Sequence, residues 1–179
     1  LDKSEYTWPF KAETNLDRTL AWTHGKVLAG SGGINGMLFV RGAAEQYDNW
    51  AAADCPGWDF VSCLPYFKKL ESVTFAATDT RGKSGPLPSS RLTADDQISR
   101  AFLDSCERYG LPRNADYNGE TMFGAALLQL NTRNGVRWSV EKAYLRPARQ
   151  RGNLRVETEA LVERIIFEGK RAVGVEFAQ

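Results

Sequence analysis

The stretch whose reading decides the fold is Gly25-Lys26-Val27-Leu28-Ala29-Gly30-Ser31-Gly32-Gly33-Ile34-Asn35-Gly36-Met37. Glycine lacks a Cβ, so backbone N–H groups in such a run can approach a ligand closely. A helix starting behind the run would aim its positive end at phosphate or another electron-rich group. These properties describe a nucleotide or flavin site, and they equally describe a plain turn or close packing of helix on strand. No Gly-Lys-Ser/Thr closes the run, which sets it apart from the phosphate loop of nucleotide hydrolases, and its spacing is not GxGxxG. Ser31 and Asn35 are short polar residues one helical turn apart, able to bond phosphate or flavin edge atoms. The alternatives are a helix N-cap for Ser31 and a satisfied helical polar group for Asn35.

Outward from this run the chain shows no internal repeat and no low-complexity tract. Residues following the run have helical character. Asp59 is positioned to cap a helix whose apolar residues Phe60, Cys63, Leu64 and Phe67 share one face, with Pro65 expected to kink or split it. A polar loop from Thr78 to Ser90 is punctuated by Gly82, Gly85, Pro86 and Pro88. The spacing then predicts a helix from Asp95 to Tyr109 with a stripe of Ile98, Ala101, Phe102, Cys106 and Tyr109, stopped by Gly110 and Pro112. Ala125 to Leu130 reads as a buried strand and Ser139 to Tyr144 as a short helix. Leu154 and Val156 begin an alternation, and Leu161 to Phe167 is rich in strand-forming residues. Val173, Val175 and Phe177 alternate, with Glu168-Gly169-Lys170 as the hairpin turn. This mixture predicts an α/β or α+β fold.

Bulk composition narrows the partners. The chain has 179 residues, 42% hydrophobic and 25% charged, which is ordinary for a soluble globular protein with one or two domains. A net charge of +1, from 23 basic and 22 acidic residues, supplies no broad field for nucleic acid or an anionic membrane. Cys55, Cys63 and Cys106 are odd in number and lack CxxC spacing, so reduced thiols packed as small hydrophobes are expected. No apolar run approaches the ~20 residues that span a bilayer, and Leu1-Asp2-Lys3-Ser4-Glu5 has no signal-peptide core. The expected location is cytoplasmic. The opening without methionine and the ending at Gln179 directly after a strand-like run read as an internal piece of a longer protein.

The string from Gly25 through Gly42, with Ile34, Asn35, Met37, Phe39, Val40 and Arg41 in register, resembles the first signature of the glucose–methanol–choline (GMC) oxidoreductases. Tyr47, Trp50, Gly57, Trp58, Leu64 to Lys69 and Glu71 continue the likeness. So do Gly85 to Leu87, Asn114 to Gly119, Asn134 to Ser139, Ala143 to Ala148 and Ala172 to Glu176, in the family's order. The resemblance implies part of a GMC-type FAD-binding domain together with the beginning of the substrate-binding domain. It divides the chain at 1–73 (FAD-binding), 74–133 (substrate-binding) and 134–179 (a return to the FAD-binding domain).

The same resemblance assigns FAD contacts to Val27, Ser31, Asn35, Gly36, Met37, Leu38 and Val162. Gly36 would remove bulk beside the flavin ring. Some members link flavin through a histidine directly before the signature asparagine; Ile34 stands there, so the FAD is expected to be non-covalent. Ala29 replaces the first of two adjacent signature glycines, and its methyl is tolerable if φ stays negative.

The family's GxGxxG turn and its catalytic histidine are both missing from these residues, so no catalytic residue is assigned. His24 is read as a surface or supporting group rather than a base. The implied activity of the parent is oxidation of a primary alcohol or polyol to the aldehyde, with hydride passing to flavin. The implied partners are a small-molecule alcohol and an electron acceptor that the sequence does not name. A non-catalytic binding or scaffold domain built on the same fold is the competing class.

Overall fold

Ahead of the glycine-rich run stands an antiparallel hairpin that the sequence reading does not anticipate. β1 (Thr7–Glu13) pairs along its length with β2 (Thr19–Gly25), Thr7 opposite Gly25 and Glu13 opposite Thr19. Thr14 Oγ1 holds the turn by accepting the N–H groups of Leu16 and Arg18, each at 3.3 Å. The period-two signal is present in Trp8, Phe10 and Ala12 alternating with Pro9, Lys11 and Glu13. Residues 5–75, 78–93 and 96–179 are described by this computed structural model.

Helix α1 (Ala44–Ala52) and helix α2 (Phe60–Leu70) meet through aromatic rings. The Tyr47 ring lies 5.1 Å from Trp50 and 5.6 Å from Phe67, both nearly edge-on, and Trp50 lies 6.0 Å from Trp58. Edge-to-face pairs are favoured by the ring quadrupole, which accounts for so many aromatic residues in a short stretch. Asp59 caps α2 as expected, its carboxylate accepting the Ser62 N–H at 2.9 Å. The predicted face of Phe60, Cys63, Leu64 and Phe67 is the half-buried one. The predicted split at Pro65 does not occur, since α2 runs unbroken. The carbonyl that proline leaves without a partner belongs to the exposed Val61, where water can satisfy it.

The small central sheet takes the order β3 (Glu71–Val73), β4 (Leu87–Arg91), β5 (Gln129–Leu130), with β3 and β4 parallel and β5 antiparallel to β4. Only the last two residues of the expected 125–130 strand join it. Ala125 instead makes an isolated bridge to Arg113. Helix α3 (Gln97–Arg108) is capped by Asp96, which accepts the Ser99 N–H at 2.7 Å. Asp95, the expected start of this helix, lies outside the described residues.

The predicted stripe on α3 is corrected by the structure. Ile98 is 83% exposed and Phe102 and Tyr109 also face outward, whereas Leu103 is 7% exposed and Ser99 and Cys106 flank it half-buried. Periodicity marks the apolar face of a helix, but the neighbouring surface decides which edge of that face is covered.

β6 (Thr132–Arg133) and β7 (Val136–Arg137) form a hairpin around Asn134 and Gly135, whose φ angles of 51° and 74° are those of a tight Asn-Gly turn. The short helix read at 139–144 is present from Val140, π-helical over Glu141–Leu145 and ending in a single turn, α4 (Arg146–Ala148).

Two compact units result, one ending at Tyr144 and the other spanning Leu145–Gln179. In the second, the alternation at Leu154 and Val156 forms no strand. β8 (Leu161–Glu168) and β9 (Arg171–Ala178) pair antiparallel around Gly169 and Lys170, as the sequence predicts, with a register shift between Val162 and Arg164. Among the described residues they pair only with each other. The fold is a mixture of helix and sheet of the α/β (α+β) class.

Candidate functional site

The glycine-rich run begins where β2 ends. Gly25 N–H donates to Ser31 Oγ at 3.2 Å, and Gly30 N–H donates to the Val27 carbonyl at 2.7 Å, so the chain folds back tightly on itself. A Cβ on Gly25 would stand 2.2 Å from the Gly30 carbonyl oxygen, which only glycine avoids. Gly30 itself has φ 55°.

A 3₁₀ turn, Gly30–Gly33, follows in place of the helix expected behind the run, and the first α-helix waits until Ala44. Three glycines in four residues give poor helix propensity, and Met37 at φ 64° turns the chain away. Ala29 has φ −83°, which satisfies the condition for its methyl group.

Ser31 is therefore not a helix cap; its hydroxyl staples the turn to the end of β2. Asn35 N–H donates to the Ser31 carbonyl at 3.0 Å, and Asn35 Oδ1 accepts the Met37 N–H at 3.0 Å. Met37 to Phe39 then lie beside β5, with Asn131 N–H donating to Met37 O and Phe39 N–H to Gln129 O, each at 2.8 Å. The turn is thus anchored to the central sheet at its far end. Ser31, Asn35 and Gly36 are exposed, Met37 is half-buried, and Val27 and Leu38 present exposed apolar surface. Those six sequence-predicted residues share one short segment. Val162, the seventh, is exposed on β8 in the second unit. His24 is exposed on β2 with its ring edge-on to Phe10 at 5.6 Å.

A residue that sequence reasoning passed over joins the turn. Arg137, on β7, donates from Nη1 to Asn35 Oδ1 at 2.8 Å and to Gly32 O at 3.2 Å, and from Nη2 to Asn35 O at 2.7 Å. A small cavity of about 90 Å³ lies among Gly32, Asn35, Met37, Arg137, Trp138 and Val140. The Asn134-Gly135 pair was the available signal, because a two-residue turn of that kind sets the hairpin that aims Arg137.

Beneath the central sheet lies a buried ionic frame. Glu71 and Gln129 are 0% exposed. Arg81 grips Glu71 with two prongs, Nε to Oε1 at 2.8 Å and Nη2 to Oε2 at 3.0 Å, while Arg41 Nη2 reaches Oε1 at 2.6 Å. Gly82 N–H adds a fourth donor at 2.7 Å. Arg81 also pairs with Asp116, which accepts from Gln129 Nε2 at 2.7 Å. Asn118 bonds Gln129 Oε1 and the Phe39 carbonyl, both at 2.9 Å.

Two positive and two negative groups cancel in this frame. Burial pushes the Arg41 guanidinium below its ordinary value and Glu71 pulls it back. Burial also raises the Tyr117 hydroxyl. A larger hollow of about 650 Å³, bordered by Arg41, Phe60, Tyr117 and Phe123, shares no residue with the glycine-rich turn.

Comparison with known proteins matches residues 12–179 to the GMC oxidoreductases. Human mitochondrial choline dehydrogenase is 41% identical over 177 residues, covering 97% of this chain and 30% of that protein. Oxygen-dependent choline dehydrogenase of Vibrio vulnificus is 40% identical over 183 residues, covering 99% and 32%. Among solved structures, pyridoxine 4-oxidase from Mesorbium loti superposes with a TM-score of 0.88 at 28% identity, over 97% of this chain and 35% of that one. An FAD-dependent oxidoreductase from Chaetomium thermophilum does so with a TM-score of 0.86 at 27% identity, over 97% and 33%. The chain spans about a third of the length of these relatives.

Proposed function

The chain belongs to the GMC oxidoreductases, and from that premise we propose that it forms part of an enzyme oxidising a primary alcohol or polyol to the aldehyde. Bound FAD would supply the hydride acceptor. The observation that carries this reading is the exposed turn from Ser31 to Leu38. It offers a hydroxyl, an amide donor and apolar surface, and a Cβ on Gly36 would meet nothing within 4 Å. Such a set fits a flat, partly polar ring better than a bare phosphate, which is usually met by several converging N–H groups or a cation.

In this reading Val27, Ser31, Asn35, Gly36, Met37 and Leu38 contact the flavin, and Val162 contacts it from β8. Asn35 and Ser31 orient the cofactor by hydrogen bonds while Val27 and Leu38 exclude water. Ile34 offers no nucleophilic atom, so the cofactor is held non-covalently. Residues 1–73 and 134–179 serve the flavin and 74–133 begin the substrate part. The choline dehydrogenases among the relatives make choline the first alcohol to try. Removal of the hydroxyl proton falls to a group outside the turn, since none of its residues is a base at neutral pH.

Among the described residues no helix is long and apolar enough to cross a membrane. A cytoplasmic location belongs to the same proposal. It is supported by three unpaired cysteines, Cys55, Cys63 and Cys106, which suit a reducing compartment.

The test is a visible spectrum of the full-length gene product, purified and then mixed anaerobically with choline. A flavin spectrum that bleaches on addition is the expected result. A colourless protein that takes up no FAD would leave only the scaffold reading.

A further inference from the structure

Among the described residues Asn35 accepts twice and donates nothing from its side chain. Its Oδ1 takes the Met37 N–H at 3.0 Å and Arg137 Nη1 at 2.8 Å, and no described acceptor meets its Nδ2. An amide's two ends are nearly equal in shape, so its partners decide which end is which. Here two donors converge on one atom, which must be the oxygen; turned over, the amide would set its NH₂ against both. From this we infer that Arg137 is a positioning residue, whose guanidinium holds the Asn35 amide with the Nδ2 donor directed to the ligand of the turn. The ligand is then a hydrogen-bond acceptor such as a carbonyl oxygen or an unprotonated ring nitrogen. Its identity as flavin rests on the function proposed above.

Arg137 is well held for such a task. It follows directly on the Asn134-Gly135 hairpin, and its carbonyl accepts Lys142 Nζ at 2.8 Å. Its neighbour Trp138 donates Nε1 to the Pro86 carbonyl at 3.1 Å, and the Arg133 guanidinium stacks 4.1 Å from the Trp138 ring centre. Three acceptors on the turn are met by the two prongs of one planar group, which a lysine ammonium cannot reproduce. Its positive charge behind Oδ1 polarises the amide and strengthens the outward donor. Without it, Met37 N–H alone would oppose rotation of the amide.

The experiment uses the full-length gene product and compares Arg137→Ala with Arg113→Ala, a surface control paired to Asp104 and Glu107 on α3. Hydrogen exchange in protein stripped of cofactor reads the clamp without any ligand. The Asn35 and Met37 amides should exchange roughly tenfold faster in Arg137→Ala, the change expected for loss of about 1.4 kcal/mol, and unchanged in the control. In cofactor-loaded protein, FAD should be held roughly tenfold more weakly, the visible flavin bands should shift, and millimolar guanidinium should restore part of the binding. Should Arg137→Ala fail to fold, Arg137→Lys is read in the same way. Unchanged exchange overturns the inference, even if FAD is weakened, because the arginine would then act by charge alone. A wild-type protein that binds no FAD sinks the flavin reading instead and leaves the exchange result to judge Arg137.

Discussion

Around Glu71 and around Asn35 the chain uses the same kinds of group, a guanidinium, a side-chain amide and backbone carbonyls. At Glu71 everything is withdrawn from water, and both carboxylate oxygens are taken, Oε1 by Arg41, Arg81 and Gly82 N–H and Oε2 by Arg81. Among the described buried side-chain atoms only Arg41 Nε and Asp116 Oδ2 lack a partner. At Asn35 the guanidinium satisfies the oxygen and leaves the nitrogen turned outward. The difference is one of burial. A buried polar atom without a partner costs the full desolvation penalty, so the frame closes on itself at Glu71 and leaves only those two atoms of Arg41 and Asp116 unmet. An exposed donor costs nothing while water serves it, and is free to exchange water for a ligand.

The largest expected effect is at Glu71. Glu71→Ala should cost about 3–5 kcal/mol in urea unfolding, because Arg41 and Arg81 are left buried and uncompensated. A loss below about 1 kcal/mol would mean water enters the frame freely and the contrast with Asn35 fails. Next comes Asn35→Leu, which should weaken FAD retention by about 1–3 kcal/mol while shifting unfolding by less than about 0.5 kcal/mol. Cys106→Ser on α3 should leave flavin content unchanged. Equal flavin loss from both would show that Asn35 acts only through folding.

Gly30→Ala probes the backbone alone. Its φ of 55° is unfavourable for alanine, yet a Cβ there meets nothing within 4 Å, so a cost of about 1–2 kcal/mol is expected from conformation without any clash. A neutral result would show that the turn relaxes easily and is not preset for a ligand.

The smallest effect is acid sensitivity at the helix caps. The Asp59 carboxylate is lowered by its bonds from the Ser62 hydroxyl and N–H, and Asp96 by the N–H of Ser99 and then its hydroxyl. A lowered folded value means stability that is complete above the ordinary carboxylate range and is lost as pH falls through the folded value. Replacing both with asparagine keeps the caps but should remove a slight part of the acid slope, read by circular dichroism between neutral and acid pH. An unchanged slope would place the acid response elsewhere.

The features legible beforehand are those written in short windows. The Asp59 cap and the half-buried face of α2 needed only one helical period. The β8–β9 hairpin with its turn at Gly169 needed only alternation around a glycine. The tight folding of the glycine-rich run from Gly25 needed only its local glycines. What escaped was non-local. Arg137 stands 102 residues from Asn35 in the chain, and no local pattern links them. The frame around Glu71 likewise draws Arg41, Arg81, Asp116 and Gln129 from four separate stretches, and no short window shows that these side chains meet.

By itself the sequence determined the class of fold and the family, because propensity, period and motif act over a few residues and survive any packing. Only the tertiary structure decided which edge of α3 is covered, that the glycine run forms a 3₁₀ turn and not a helix, and which way Asn35 points. Those outcomes depend on partners that arrive from distant parts of the chain. At Asn35 two donors from the turn and from β7 fix the amide at the surface, whereas around Glu71, where water is excluded, the carboxylate takes the orientation its buried partners allow.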